Sequence, residues 1–509
     1  MTELVLAIDA GTTGIRSMFF DQTGNVIASA YSEFESLFPH PSWVEQRAES
    51  WWETACKTIQ QCLREGKTRP EQVIAISVTN QRETVVPIDE DGKSLRNAIV
   101  WQDRRTVRQC DWIKKTIPQV QVYTISGLTV DPYFTAPKIL WIREHERETY
   151  DKTHKFLLVH DYLIYRLSDE IITDYSNASR TLLFDIRAAN WSDKLLESFD
   201  IQREKLPRLV ESSQLVGELS SKAAKQTGLK EGTPIVAGGG DQQCAALGVG
   251  VVREGMIKST TGTGTFLLAY SKTVKLDPSM RILCSRHVVP NAFVVEASMF
   301  TTGAALRWYR DNLGSEEIGI ADELGVDPYD VITEAAEKTP PGAEGVIHIP
   351  HFVGSGAPNW NPYARGIFAG LALGHSRNHL IRAILEGVSY DIRSNIEVMR
   401  ELGLPSQQVR VTGGASRSAN WMQIQADILR TPVIRPKMEE ATAIGAAILA
   451  FKGVGVFKSV TKAAEEMVQT LEPLQPRDET LDVYHKGYET FKTLYDAISG
   501  IHWGDDSSA

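Results

Sequence analysis

Four times along this chain an apolar stretch of strand length runs into a turn made of Gly, Thr and Asp. Leu4 to Ile8 enters Asp9-Ala10-Gly11-Thr12-Thr13-Gly14, and Pro234 to Ala237 enters Gly238-Gly239-Gly240-Asp241. Met256 to Thr260 enters Thr261-Gly262-Thr263-Gly264, and Gln408 to Val411 enters Thr412-Gly413-Gly414-Ala415. After the first turn, strands are expected at Ser17 to Phe20 and Val26 to Tyr31, joined at Asp21-Gln22-Thr23-Gly24. A helix is expected over Ala48 to Arg64, where Trp52, Cys56, Ile59 and Leu63 recur at helical spacing, and a buried strand at Val73 to Val78. Strands mixed with helices in this way predict an α/β fold with mixed sheets. The recurrence predicts two related lobes with a ligand between them, one over residues 1–247 and one over 248–509, the boundary falling near 246–256.

The turns suggest what the ligand is. Glycine lets backbone N–H groups approach phosphate oxygens, and threonine hydroxyls add donors. Any one such turn can simply end a strand, but four of them in one chain point to a phosphorylated ligand. Gly413-Gly414 would also let a flat base lie against backbone. No Gly-x-x-x-x-Gly-Lys-Ser/Thr and no Gly-x-Gly-x-x-Gly opening a βαβ unit occurs, so a P-loop or a dinucleotide-binding fold is disfavoured.

Asp9 and Asp241 each stand at a strand end beside a glycine turn. Phosphoryl transfer uses Mg²⁺, which takes hard oxygen ligands, and a carboxylate that orients the attacking hydroxyl and accepts its proton. Asp9 suits the first role and Asp241 the second, with both counted as candidate Mg²⁺ ligands. The alternative for Asp9 is a side chain that caps its own turn. These residues predict phosphoryl transfer from a nucleotide to a hydroxyl group.

Composition narrows the partners. With 509 residues, 42% hydrophobic and 23% charged, the chain can bury large cores without staples. Its net charge of −10, with Lys and Arg scattered, disfavours a nucleic-acid partner. There is no signal-peptide pattern at the start and no run of 18 apolar residues, so neither secretion nor membrane insertion is expected. Cys56, Cys62, Cys110, Cys244 and Cys284 are odd in number and irregular in spacing, as buried thiols of a cytoplasmic enzyme would be. The last ten residues are expected to fray.

Longer patterns carry a resemblance. Tyr133-Phe134-Thr135-Ala136-Pro137-Lys138-Ile139-Leu140-Trp141, and Gly366-Ile367-Phe368-Ala369-Gly370-Leu371 continuing to His379 and Glu386, resemble the two signatures of the FGGY carbohydrate kinases. The resemblance covers nearly the whole chain and implies two actin-like, RNase H-like lobes with ATP in the cleft between them. Asn80-Gln81-Arg82-Glu83-Thr84, Val100-Trp101-Gln102, Asp131-Pro132-Tyr133-Phe134 and Gly240-Asp241-Gln242-Gln243 resemble the branch of that family that phosphorylates glycerol to glycerol 3-phosphate. It implies that Arg82, Glu83, Tyr133, Asp241 and Gln242 hold the hydroxyls, with Trp101 and Phe266 walling the carbon chain. An arginine donates, an ionised glutamate accepts and a tyrosine hydroxyl does both, which suits adjacent hydroxyls. On the nucleotide side it implies Thr12, Thr13, Arg16, Gly262 and Thr263 at the phosphates. Gly303, Arg307, Gly414 and Ser418 would lie at ribose and adenine.

Arg307 and Ser418 stand where that branch often has Gln and Asn, and the stretch from Lys272 to Pro341 is closer to pentulose kinases. A ketose, tetritol or autoinducer-2-like acceptor therefore stays open as an alternative. A nucleotide-driven binding protein of the same superfold is the rival from another class; it has no use for Arg82-Glu83 with Tyr133. A homo-oligomer, dimer or tetramer, is the expected assembly.

Overall fold

A computed structural model describes residues 2–501 and 503. Of the last ten residues, expected to fray, only Gly500, Ile501 and Trp503 are among them. Contacts group the chain into two units: Met1–Val252 with Tyr270–Val294 and Glu440–Gln469, and Arg253–Ala269 with Val295–Glu439 and Thr470–Ala509. This grouping differs from a single cut at 247/248, because two later segments pack back onto the first unit.

The first sheet is built from β1 (Leu4–Ala10), β2 (Gly14–Phe20), β3 (Val26–Glu33), β4 (Val73–Asn80), β5 (Leu215–Glu218) and β6 (Pro234–Gly240), in the order β5-β6-β4-β1-β2-β3. β1 pairs antiparallel with β2 and β2 with β3, whereas β4 runs parallel to β1 and β6 parallel to β4. The second sheet is built from β7 (Gly255–Thr261), β8 (Thr265–Ser271), β9 (Leu283–Arg286), β10 (Phe293–Met299), β11 (Ser406–Thr412) and β12 (Val433–Ile434), in the order β9-β10-β8-β7-β11-β12. Here β7 pairs antiparallel with β8 and parallel with β11, which is parallel to β12. The pattern of β1, β2, β4 and β6 thus returns in β7, β8, β11 and β12, as the repeated strand–turn grammar anticipates.

The helix α1 (Ala48–Glu65) buries Trp51, Ala55, Thr58, Ile59 and Cys62, three to four residues apart, against the first sheet. Each large apolar side chain removed from water there contributes about 1.5–3 kcal/mol. Polar contacts fix its rotation: Thr58 Oγ1 lies 2.8 Å from Ser17 Oγ, and Cys62 Sγ lies 2.9 Å from the Ser17 carbonyl. None of the five cysteines is in a disulfide; four are buried and Cys56 is half-buried. Among the described residues no helix is long and apolar enough to cross a membrane.

Several strands run longer than the sequence suggests. β6 extends through Gly240, so Gly238-Gly239-Gly240 belongs to the strand rather than to a turn, and a helix α2 (Asp241–Gly248) begins at once. The reason is close packing: a Cβ on Gly238 would collide with the Val78 carbonyl oxygen of β4. Because that obstacle is backbone, Gly238→Ala is expected to destabilise the protein by about 1–3 kcal/mol. A lowered urea midpoint checks this; an unchanged midpoint contradicts the packing account.

Candidate active site

The first unit gathers charge at the adjoining ends of β4 and β6. Arg82 and Glu83 follow β4 and are 3% and 1% exposed, although both would ordinarily be ionised. Arg180 Nε donates to Glu83 Oε1 at 2.6 Å, and Arg82 Nη1 donates to Gln243 Oε1 at 3.2 Å. Arg82 Nε lies 3.5 Å from Asp241 Oδ1 and 3.9 Å from Glu83 Oε1. Two local features make this crowding possible. Glu83 adopts a left-handed φ of 64°, a conformation uncommon for a residue with a Cβ and frequent at functional sites. A Cβ on Gly240 would come within 2.6 Å of Arg82 Cδ, so the bare glycine leaves room for the arginine's stem.

Asp241 opens α2, half-buried, and accepts from the Gln242 backbone N–H at 2.7 Å. Asp9 lies on β1 rather than in the turn after it. Desolvation raises its carboxyl to about 7; Asp241 and Glu440 add to the rise and Arg16 opposes it. The Asp241 carboxylate is near enough to raise Asp9, and carboxylates are hard oxygen donors of the kind Mg²⁺ takes. Arg16 Nη1 lies 3.6 Å from Glu440, and its guanidinium sits over Tyr31.

An aromatic side adjoins these charges. The Trp101 and Tyr133 rings meet edge to face at 5.5 Å, and the Arg180 guanidinium lies 5.5 Å from the Tyr133 ring centre. Desolvation, then Glu83, pushes the Tyr133 hydroxyl well above its ordinary range and keeps it protonated. The turn carrying Tyr133 is held from below by Lys138. This fully buried ammonium donates to the carbonyls of Pro132, Tyr133 and Phe134 at 3.1, 2.6 and 3.0 Å, and burial draws its pKa down to about 8.

The second unit holds a cavity of about 320 Å³, within the size range of small-ligand sites. Gly262, Thr263, Gly303, Arg307, Gly414 and Ser418 all line it, joined by Asp327, Tyr329, Asp330, Arg417 and Trp421. A Cβ on Gly262 or Gly414 would meet no protein atom within 4 Å, so these backbones face open space. Ser418 Oγ also caps the helix Ala419–Leu429 by accepting from Trp421 N–H at 3.2 Å.

Within the turns, Gly11 N–H donates to Gly14 O at 3.0 Å and Gly262 N–H to Gly264 O at 2.9 Å. Those amides hold their own turns together. The turns also present hydroxyls, and two of these already accept from a neighbour: Thr12 Oγ1 from Trp101 Nε1 at 3.0 Å, and Thr263 Oγ1 from Arg307 Nη2 at 3.4 Å. A hydroxyl that accepts in this way keeps its own proton free to donate. Thr13 Oγ1 shares a hydrogen bond with Tyr31.

Phe266 is half-buried on β8 opposite Thr260 and is not part of the cavity lining. Gln242 is half-buried, whereas its neighbour Gln243 is buried and touches Arg82. Gln243, Arg180 and Lys138 are the residues that sequence reasoning missed. Gln243 and Lys138 lie inside quoted motifs, so their motif membership was the available signal; Arg180 lies in no motif. Glu344, His375 and His379 also gather potential ligand atoms, within 4.8 Å. Both rings accept backbone N–H at Nδ1, from Ala372 and Ser376. That leaves their protons on Nε2, where they donate rather than ligate.

Residues 4–248 match the N-terminal domain of the FGGY family of carbohydrate kinases, and residues 257–454 match its C-terminal domain. A glycerol kinase from Thermococcus gammatolerans is 38% identical over 97% of this chain and 98% of its own length. Glycerol kinase 2 from Thermotoga maritima is 38% identical over 95% of this chain and 97% of its own. Among solved structures, a xylulose kinase from Rhodospirillum rubrum superposes with a TM-score of 0.89 at 28% identity, covering 97% of this chain and 99% of that one. A Plasmodium falciparum glycerol kinase with ADP gives 0.88 at 26%, covering 99% of each. With both domains matched and full-length relatives at this identity, the chain belongs to the FGGY family of carbohydrate kinases.

Proposed function

We propose that this kinase transfers the γ-phosphoryl group of ATP to a terminal hydroxyl of glycerol, giving glycerol 3-phosphate and ADP. The observation that carries the reading is the buried pair Arg82 and Glu83 with the half-buried Asp241, beside Trp101 and Tyr133: fixed donors and acceptors against an aromatic side, suited to a short chain of adjacent hydroxyls. Full-length relatives called glycerol kinase, at 38–39% identity, support it. The xylulose kinases among the structural neighbours keep a ketose as the second reading.

In this reading Arg82 donates to substrate hydroxyls, Glu83 accepts from them, and the protonated Tyr133 does either, with Gln242 beside them. Trp101 and Phe266 wall the carbons. Asp241 accepts the proton of the terminal hydroxyl as its oxygen bonds the γ-phosphorus; the bond from that phosphorus to the β–γ bridging oxygen breaks, and ADP leaves. Thr12, Thr13, Arg16, Gly262 and Thr263 stabilise the phosphates, Gly303 and Arg307 take the ribose side, and Gly414 and Ser418 the adenine. Asp9 and Asp241 would hold Mg²⁺, which neutralises phosphate charge when bound. Arg82, Glu83, Tyr133 and Asp241 lie in the first unit, and the cavity lined by Gly262, Gly303 and Gly414 lies in the second. A cytoplasmic homo-oligomer, acting on neither nucleic acid nor membrane, completes the proposal.

Two measurements test it. ADP release should give a higher kcat/KM with glycerol than with erythritol, dihydroxyacetone, xylulose or ribulose; a ketose preference selects the second reading. Asp241→Asn should lower kcat by about 10²–10⁴-fold while ADP binding by calorimetry stays within about twofold. Turnover near that of the wild type removes Asp241 from the mechanism.

A further inference from the structure

The first phosphate turn and the aromatic side of the acceptor pocket are joined by a closed ring of hydrogen bonds. Trp101 Nε1 donates to Thr12 Oγ1 at 3.0 Å. Trp101 backbone N–H donates to Thr84 Oγ1 at 3.2 Å, and Thr84 Oγ1 donates to Gln81 Oε1 at 3.1 Å. Gln81 Nε2 donates to Gln46 Oε1 at 2.9 Å, and Gln46 Nε2 returns to the Thr12 carbonyl at 2.8 Å. Gln46 belongs to no motif, yet it is fully buried and all four of its amide sites are used. Its Nε2 also donates to Ser36 Oγ at 3.0 Å, and its Oε1 accepts from Trp51 Nε1 at 3.1 Å. An amide so completely matched has one orientation, so it fixes the height of Thr12 against the sheet.

We propose that this ring couples the acceptor pocket to phosphoryl transfer, with the indole N–H of Trp101 and the amide of Gln46 as positioning groups that hold the Thr12 hydroxyl as a donor to phosphate. The physical reason is directional. An indole N–H can only donate, so the Thr12 oxygen must accept from it, and the hydroxyl proton is then free to point elsewhere. A carbon chain resting on the Trp101 face also steadies the indole, and hydrogen-bonded groups in sequence reinforce one another. Trp101 therefore does more than fill space: its face meets the acceptor and its edge sets the phosphate donor.

The inference rests on the proposed kinase reading and can fail separately from it. If the wild-type enzyme releases no ADP with any polyol or ketose, the kinase reading fails and takes the coupling with it. If the wild type is active, Trp101→Phe isolates the coupling, since phenylalanine keeps an aromatic face and loses the N–H. The expected result is a fall in kcat of about 3–10-fold, with glycerol affinity, measured by calorimetry without nucleotide, changed less than twofold. In a Thr12→Val background the same change should have no further effect, because its target hydroxyl is gone. Gln46→Met, which keeps the volume and removes the donors, should lower kcat in the same direction without weakening glycerol binding. Wild-type kcat in Trp101→Phe, or effects of Trp101→Phe and Thr12→Val that simply multiply, overturns the proposal.

Discussion

The contact on which the rest depends is the pairing of Arg180 with Glu83, under an Arg82 guanidinium that reaches Asp241. Moving such ions out of water costs on the order of several kcal/mol each, and close pairing only partly offsets it. A packed hydrophobic substitute would serve stability at least as well. The fold nevertheless bends around these charges: Glu83 takes a left-handed backbone, and Gly240 is bare where Arg82 crosses it. Ionised groups held in fixed places where water is scarce recognise hydroxyls sharply, because a missing partner leaves a charge unmatched. That is what a kinase needs in order to choose a small polyol.

Around this set the chain uses one topology twice and loads it differently. In both units the turn between the first two antiparallel strands carries Gly and Thr, between β1 and β2 and between β7 and β8. In the first unit, the strand before the turn bears Asp9, and the neighbouring strand ends bear the buried ions. In the second, Gly262 and Gly414 open onto a cavity that also has Asp327 and Asp330 in its lining. The two units differ accordingly: the first gathers buried charge, and the second lines a cavity with bare backbone and hydroxyls.

Much of this was legible in the residues. The alternation of apolar runs with Gly-Thr turns gave the mixed sheets, because strand period and turn chemistry are local properties. Asp9 and Asp241 stood out because each is a carboxylate at a strand end beside a glycine turn. What stayed hidden depends on contacts between residues far apart in the chain. Arg180 is one arginine among many until folding brings it to Glu83, 97 positions earlier. Gln46 sits in no pattern, and its role exists only through four partners from separate segments. The glycines at 238–240 read as a turn because strand glycines are rare, and only the nearness of the Val78 carbonyl explains them.

The central claim, that buried charges of the first unit read the hydroxyls of a three-carbon acceptor, is tested most directly by removing one hydroxyl from the substrate. Propane-1,3-diol keeps a terminal hydroxyl to be phosphorylated and lacks only the central one. Comparison of kcat/KM for glycerol and for propane-1,3-diol should show a loss of at least about 10²-fold, since a fixed charged partner would be left unmatched. Values within about threefold of each other would contradict the account.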